Sequence, residues 1–373
     1  MRIDTKRALL ALVVLGSAAI AGCGSSTASS FDSNGGPESA GRGSTGATSP
    51  GAPSDSSDPG PSSGGTSSTS GSGTGSTVQS GQLTAGVWDD NLNYDFFNAY
   101  LLKNATPTGG EIFSQAERDA AHARAIAGSS AKTELDVAIV LDTTSSMGDE
   151  IKYLQAEFDS IATTIKAKYP QTVPRFGLVV YRDHTDAYLT QTVPFTTDVQ
   201  AFRSSLAAQS ADGGGDQPEA VPEGLGAGVD LGWRADANVA RVMFWVADAP
   251  QHPGEEQVVN TAVNAAVQKG IHVYPVGASG VDPAAELSMR GTAQITGGRY
   301  IFLTDDSGIG NSHAEPHIPC YVVTKLQGAM VRMVASEMNG TRAEPLASEV
   351  LRTVGSPTNG KCTLADKTDV ILY

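Results

Sequence analysis

Asp142, Thr144 and Ser146 stand at spacing i, i+2, i+4 in the stretch VAIVLDTTSSMGDEI, residues 137–151. In a segment leaving a strand, alternate residues point the same way, so one carboxylate and two hydroxyls can converge on a point. Hard oxygen donors at that density suit Mg2+, or Mn2+ or Ca2+, rather than a softer ion. A second aspartate, Asp248, closes another apolar run, ARVMFWVADAP.

Other chemistries fit less well. An aspartyl phosphatase wants a second Asp two residues after the first, where this chain has Thr144. No G-x-S-x-G nucleophile elbow and no G-x-x-x-x-G-K-[ST] phosphate loop occurs. HAEPHIPC offers His313, His317 and Cys320, but Pro316 breaks the helix that would align the two histidines for zinc. In YRDH, Asp183 or His184 either orients a metal ligand from behind, or Asp183 pairs with Arg182 to cap a strand end. His252 reads as an exposed loop histidine.

The elements that must position these residues alternate strand with helix from residue 134 onward. ELDVAIVLD is continuous enough to be buried on both faces, as in a parallel sheet. A helix follows over 147–169, ended by Pro170 and Pro174. RFGLVVYRDH and YLTQTVPFT predict two strands joined by a short turn, hence antiparallel. Helices are expected at 198–208 and 218–232, then the strand at 240–248 and a helix at 254–269. The strand IHVYPVG, a helix near 283–295, the strand GRYIFL and a last helix over 320–338 complete the series. The pattern predicts an α/β fold with a doubly wound, mostly parallel six-stranded sheet, helices on both faces and one antiparallel edge strand. Right-handed crossovers put the carboxyl ends of the parallel strands, with Asp142 and Asp248, on one edge.

DTTSSM, YRDH, GGGDQPE and WVADAP in this order resemble the von Willebrand factor type A domain, in its branch with DTTGSM, GGGDxPE and DAP signatures, over about residues 134–340. The resemblance implies a metal-ion-dependent adhesion site held by Asp142, Thr144, Ser146 and Asp248. Ser145 stands where the family usually has Gly, with a hydroxyl expected to face away. The loop ADGGGDQPEA lacks the family's further Thr. Asp216 is the natural substitute, with Asp212 and Glu219 as alternatives and Asp183 as a further neighbour. A third carboxylate on the ion would make it less electron-hungry, so the site either holds metal structurally or prefers a less acidic ligand than the acidic side chain such sites recruit from a partner.

The formal charge of −15 excludes the basic face that nucleic acid requires. Arg2, Lys6 and Arg7 precede an apolar run of about 13 residues, too short to span a bilayer. The run ends in I-A-G-C, which resembles a bacterial lipobox with Cys23 as the lipidated residue. Gly, Ser, Thr and Pro dominate the next stretch, which cannot bury enough apolar surface to fold. As a tether it would hold the domain about 40 Å from the bilayer, at about 5–6 Å × √n. Cys320 and Cys362 are left for a disulfide in an oxidising compartment. The chain thus divides into a signal peptide (1–22), lipidated Cys23 and linker (23–82), an aromatic extension (83–130) with a helix at 114–127, the main domain (131–340) and a tail tied by the disulfide (341–373). Gly24 after the lipid Cys favours the outer membrane. The expected role is non-enzymatic binding of a protein partner through the metal. The alternatives are a structural metal with binding through another surface, such as the aromatic extension, or an accessory subunit of an enzyme.

Overall fold

The structure, a computed structural model, describes residues 81–371 apart from 89–91, 107–108, 128, 216, 309–311, 314, 318–319, 365–366 and 368. The signal segment, Cys23, most of the linker and Asp216 lie outside the described residues. In chain order the elements are β1 (Thr84–Trp88), α1 (Asn93–Lys103), α2 (Gln115–Ala127), β2 (Glu134–Asp142), α3 (Gly148–Lys168), β3 (Arg175–Tyr181), β4 (Thr190–Thr196), α4 (Val199–Ala207) and α5 (Val221–Val229). They continue with β5 (Val239–Ala247), α6 (Glu256–Gln268), β6 (His272–Gly277), α7 (Pro283–Thr296), β7 (Tyr300–Thr304), β8 (Tyr321–Lys325), α8 (Leu326–Asn339), β9 (Arg352–Val354), and a small hairpin of β10 (Lys361–Thr363) and β11 (Asp369–Ile371).

Every residue of β2 after the first is buried, which requires cover on both faces. Strand alternation divides that cover. Val137, Ile139 and Leu141 join a core with α3, α4 and α8, whereas Ala138 and Val140 join one with α5, α6 and α7. The sheet therefore lies between two helical layers, as a doubly wound fold demands.

The strand order is β4-β3-β2-β5-β6-β7-β1-β8-β9. Strands β3, β2, β5, β6 and β7 are parallel, and β4 is the expected antiparallel edge. Sheet growth reverses direction between β2 and β5, and such a switch point opens a crevice at the carboxyl ends of the strands. Asp142 ends β2 and Asp248 follows β5 at that crevice.

The sheet has nine strands rather than six. β1 pairs antiparallel with both β7 and β8, so the segment read as an extension adds a strand inside the sheet. Its sequence TAGVW gives too short an alternation to be recognised as a strand. A Cβ on Gly86 would lie 2.2 Å from the Phe302 ring, so only glycine lets β1 sit there. The helix expected from 320 starts at Leu326, because the β-branched run YVVTK before it forms β8.

The aromatic residues of the extension serve packing. Tyr94, Phe97 and Leu101 are buried against Leu287 of α7. Arg290, fully buried and paired with Glu286 at 2.5 Å, lies 4.6 Å from the Phe97 ring centroid. A disulfide joins Cys320 to Cys362 and ties the β10–β11 hairpin to the main sheet. No helix among the described residues is long and apolar enough to cross a membrane.

Candidate metal centre

Asp142 is fully buried, and its Oδ1 accepts the Thr144 N–H at 2.9 Å and the Thr144 hydroxyl at 2.7 Å. Thr144 Oγ1 lies 3.5 Å from Ser146 Oγ, so the three residues share one locus. Thr144 and Ser146 line a cleft together with Gly214, Glu219 and Asp248. Asp142 thus reaches that cleft through its bond to Thr144.

The loop 211–220 is stitched onto the first motif at several points. Ser145 Oγ donates to the Gly213 carbonyl at 2.6 Å, and the Asp212 N–H donates to the Thr143 carbonyl at 3.1 Å. Ser145 therefore joins the two loops instead of facing away. Thr143 Oγ1 contacts the Tyr181 carbonyl at 3.0 Å and the Tyr188 hydroxyl at 2.7 Å. Neither hydroxyl caps the helix that follows. On the far side of the loop, Glu219 forms a parallel bridge with Gln251, and its N–H donates to the Pro250 carbonyl at 2.9 Å. These bonds fix Glu219 beside Asp248. Asp212 is exposed and reaches Arg182 at 3.6 Å.

Gly214 adopts φ +68°, and a Cβ there would lie 3.1 Å from both Glu219 Oε1 and Thr144 Cβ. Gly214→Ala is expected to cost about 1–2 kcal/mol in the left-handed conformation and to push into the cleft. Thermal melting and a Mg2+ titration followed by melting temperature would measure both effects.

The carboxylates at this edge lack compensation. Asp142 Oδ2, Asp248 Oδ1 and Glu219 Oε2 are sealed from solvent without a hydrogen-bond partner. Among the described residues, no lysine or arginine pairs with any of the three. Burial pushes the Asp142 carboxyl up to about 7, against the Thr144 hydrogen bonds and with help from the charges of Asp248 and Asp186. Burial, followed by the charges of Asp142, Asp183, Asp186 and Asp248, raises Glu219 to about 9. Asp248 is also raised by burial, opposed by a hydrogen bond from Ser146. Buried carboxylates in this state demand either protons or a cation. The donors present, three carboxylates and two hydroxyls, fit a hard divalent ion.

Asp183 is buried and bonds His252 Nε2 at 2.6 Å, not Arg182. Burial would raise its pKa, but the His252 hydrogen bond and the nearby histidine charges hold it below the usual range. His252 is therefore drawn into the rim of the site and is not the exposed loop residue expected from the sequence. No local spacing announces this, because Asp183 lies 69 residues away on the loop after β3.

HAEPHIPC holds no zinc cluster among its described residues. Cys320 is in the disulfide, and His317 stacks on Tyr100 with ring centroids 3.8 Å apart. His313 Nε2 lies 2.9 Å from Ser279 Oγ, and its Nδ1 lies 2.9 Å from Asp305 Oδ1. This has the order of a hydrolytic triad, but the N–H groups that would stabilise an oxyanion are already used. Ser279 N–H donates to Glu150 at 3.1 Å and Gly280 N–H to the Ser312 carbonyl at 3.2 Å.

Among curated proteins, an ariadne-like RING finger protein of Acanthamoeba polyphaga mimivirus is 27% identical over 118 residues, 32% of this chain. The match spans only 11% of that relative's length. Among solved structures, the pilus adhesin SpaC of Lactobacillus rhamnosus GG aligns with 12% identity and a TM-score of 0.35, over 45% of this chain and 28% of that one. The conserved hypothetical protein BatB of Bacteroides thetaiotaomicron aligns with 14% identity and a TM-score of 0.35, over 55% of this chain and 98% of that one. Residues 136–305, which run from β2 to the end of β7 and carry the acidic edge, match the family model of the von Willebrand factor A domain, and this supports a domain of that family in this segment.

Proposed function

We propose that this chain is a lipid-anchored protein of a bacterial cell envelope, whose von Willebrand A domain captures a protein partner through a divalent metal at the carboxyl edge of its sheet. One observation carries the metal reading: Asp142 Oδ2, Asp248 Oδ1 and Glu219 Oε2 are buried without partners next to the Thr144 and Ser146 hydroxyls. Leaving such oxygens ionised without a cation costs far more than binding one. The anchor rests on the lipobox-like I-A-G-C ending at Cys23, and the outer membrane on Gly24. The metal is Mg2+, or Mn2+ or Ca2+, held by Asp142, Thr144, Ser146 and Asp248, with Glu219 or Asp216 in place of the family's Thr.

With Glu219 at the cleft, three carboxylates against the ion's two positive charges leave the site net negative. A neutral oxygen from the partner, such as a carbonyl or hydroxyl, then suits the ion better than an acidic side chain. Capture of envelope proteins by the immobilised chain tests the proposal. Binding is expected to vanish in EDTA, to return with Mg2+, and to be absent in Asp142→Ala. Capture that survives EDTA while the melting temperature falls would instead assign the metal a structural role.

A further inference from the structure

The geometry points to a second metal site, for a borderline divalent ion of the Zn2+ class, formed by His184, Glu223 and Glu255 on the rim beside the oxygen site. One ligand atom from each of these three residues lies within 4.8 Å of the others. They come from three separate segments: the loop after β3, the first turn of α5, and the loop after β5. Such convergence is not a product of local sequence.

Two further observations favour an ion over a plain acidic surface. Glu223 Oε2 and Glu255 Oε2 are both sealed from solvent without a hydrogen-bond partner. The His184 ring meets one of these carboxylates, its Nε2 3.5 Å from Glu255 Oε1. Among the described residues, no lysine or arginine pairs with Glu223 or Glu255. The backbone shapes the approach. The Glu255 N–H donates to the His252 carbonyl at 3.1 Å, which folds Glu255 back toward the histidines. A Cβ on Gly224 would lie 2.5 Å from the Tyr181 ring, so glycine lets the start of α5, and Glu223 with it, close on the end of β3.

His252 lies alongside, its ring centroid 5.2 Å from that of His184, and Asp183 fixes its orientation at 2.6 Å. Imidazole with two carboxylates is a donor set suited to Zn2+, whereas the neighbouring site offers oxygen alone and suits Mg2+. Three protein ligands leave a coordination position for water or for a donor from a partner. A bound ion would clamp together the loop after β3, the start of α5 and the loop after β5.

The test is a Zn2+ titration of the full, metal-stripped chain in saturating Mg2+, against a chromophoric chelator, with Co2+ as the spectroscopic probe. One equivalent of Zn2+ is expected to bind, and Asp142→Ala, which damages only the oxygen site, retains it. His184→Ala and Glu223→Gln are each expected to weaken it by about 100-fold, at the upper end of the losses seen when supporting groups of metal sites are removed, and to alter the Co2+ spectrum. Side-chain exposure of 42% at His184 makes its removal harmless to the core, and melting curves verify that both variants fold. Zinc binding that falls with Asp142→Ala, or that survives both His184→Ala and Glu223→Gln, overturns the second site. Neither result bears on Mg2+-dependent partner capture.

Discussion

At pH 8 in EDTA, Glu219→Gln is expected to melt roughly 10 °C above the wild type, and saturating Mg2+ is expected to narrow or reverse that order. The sign follows from linkage. Glu219 is raised from 4.5 to about 9 in the folded chain, so between those values the native state holds a proton that the unfolded state has released. Stability of the metal-free protein therefore falls as pH rises through this window. At ~1.4 kcal/mol per unit, the loss from this group is on the order of 4–5 kcal/mol by pH 8. A domain of this size shifts by about 2–4 °C per kcal/mol. Asp142, raised to about 7, adds a loss that begins near 4 and ends near neutrality. Glutamine keeps the shape and removes the penalty. The cation that relieves the wild type finds one carboxylate fewer in the variant, so its melting temperature gains less. Melting curves from pH 5 to 9, with and without Mg2+, measure the slope. A wild type that melts no lower at pH 8 than at pH 5 in EDTA would refute the uncompensated charge.

The acidic edge was legible in part from sequence, and the reasons are specific. Asp142 and Asp248 end the two strongest apolar runs, and a buried parallel strand announces itself by unbroken hydrophobicity. Thr144 and Ser146 follow at fixed local spacing, so a local rule finds them. Glu219 is different. It reaches the cleft only because Gly213 and Gly214 take positive φ and because Gln251, far along the chain, pairs with its backbone. Loop conformation of this kind leaves no periodic trace, and the sequence ranks Asp216, Asp212 and Glu219 by type alone. His252 and Glu255 were hidden for the same reason, since their neighbours Asp183 and His184 come from another loop. At the fold level, β1 escaped notice because five residues with a central glycine carry little strand pattern, although the sheet needs them between β7 and β8.

The two buried aspartates of β2 separate architecture from function, and their variants are expected to behave oppositely. Asp136 and Asp142 are each fully inaccessible, six residues apart on one strand. Asp136 accepts Arg175 Nε at 2.8 Å and Nη2 at 2.5 Å, together with the Arg234 backbone N–H at 2.9 Å, its Nε at 2.9 Å and its Nη2 at 2.7 Å. Burial alone would raise its pKa, but these bonds outweigh it and hold the carboxyl below the usual range. Asp142 has Thr144 for one oxygen and nothing for the other. Asp136→Ala strands two guanidinium groups at the amino edge and should cost about 3–5 kcal/mol, while the Mg2+-induced shift in melting temperature persists. Asp142→Asn should leave the metal-free protein as stable as the wild type or more so at pH 8, and abolish that shift. Melting both variants with and without Mg2+ checks the pair. An Asp142→Asn protein that still gains stability from Mg2+ would mean the ion does not use this carboxylate, whereas loss of the Mg2+ response in Asp136→Ala would mean that the amino edge also shapes the metal centre. The strand places one aspartate where arginines complete it and the other where only a cation from outside the chain can.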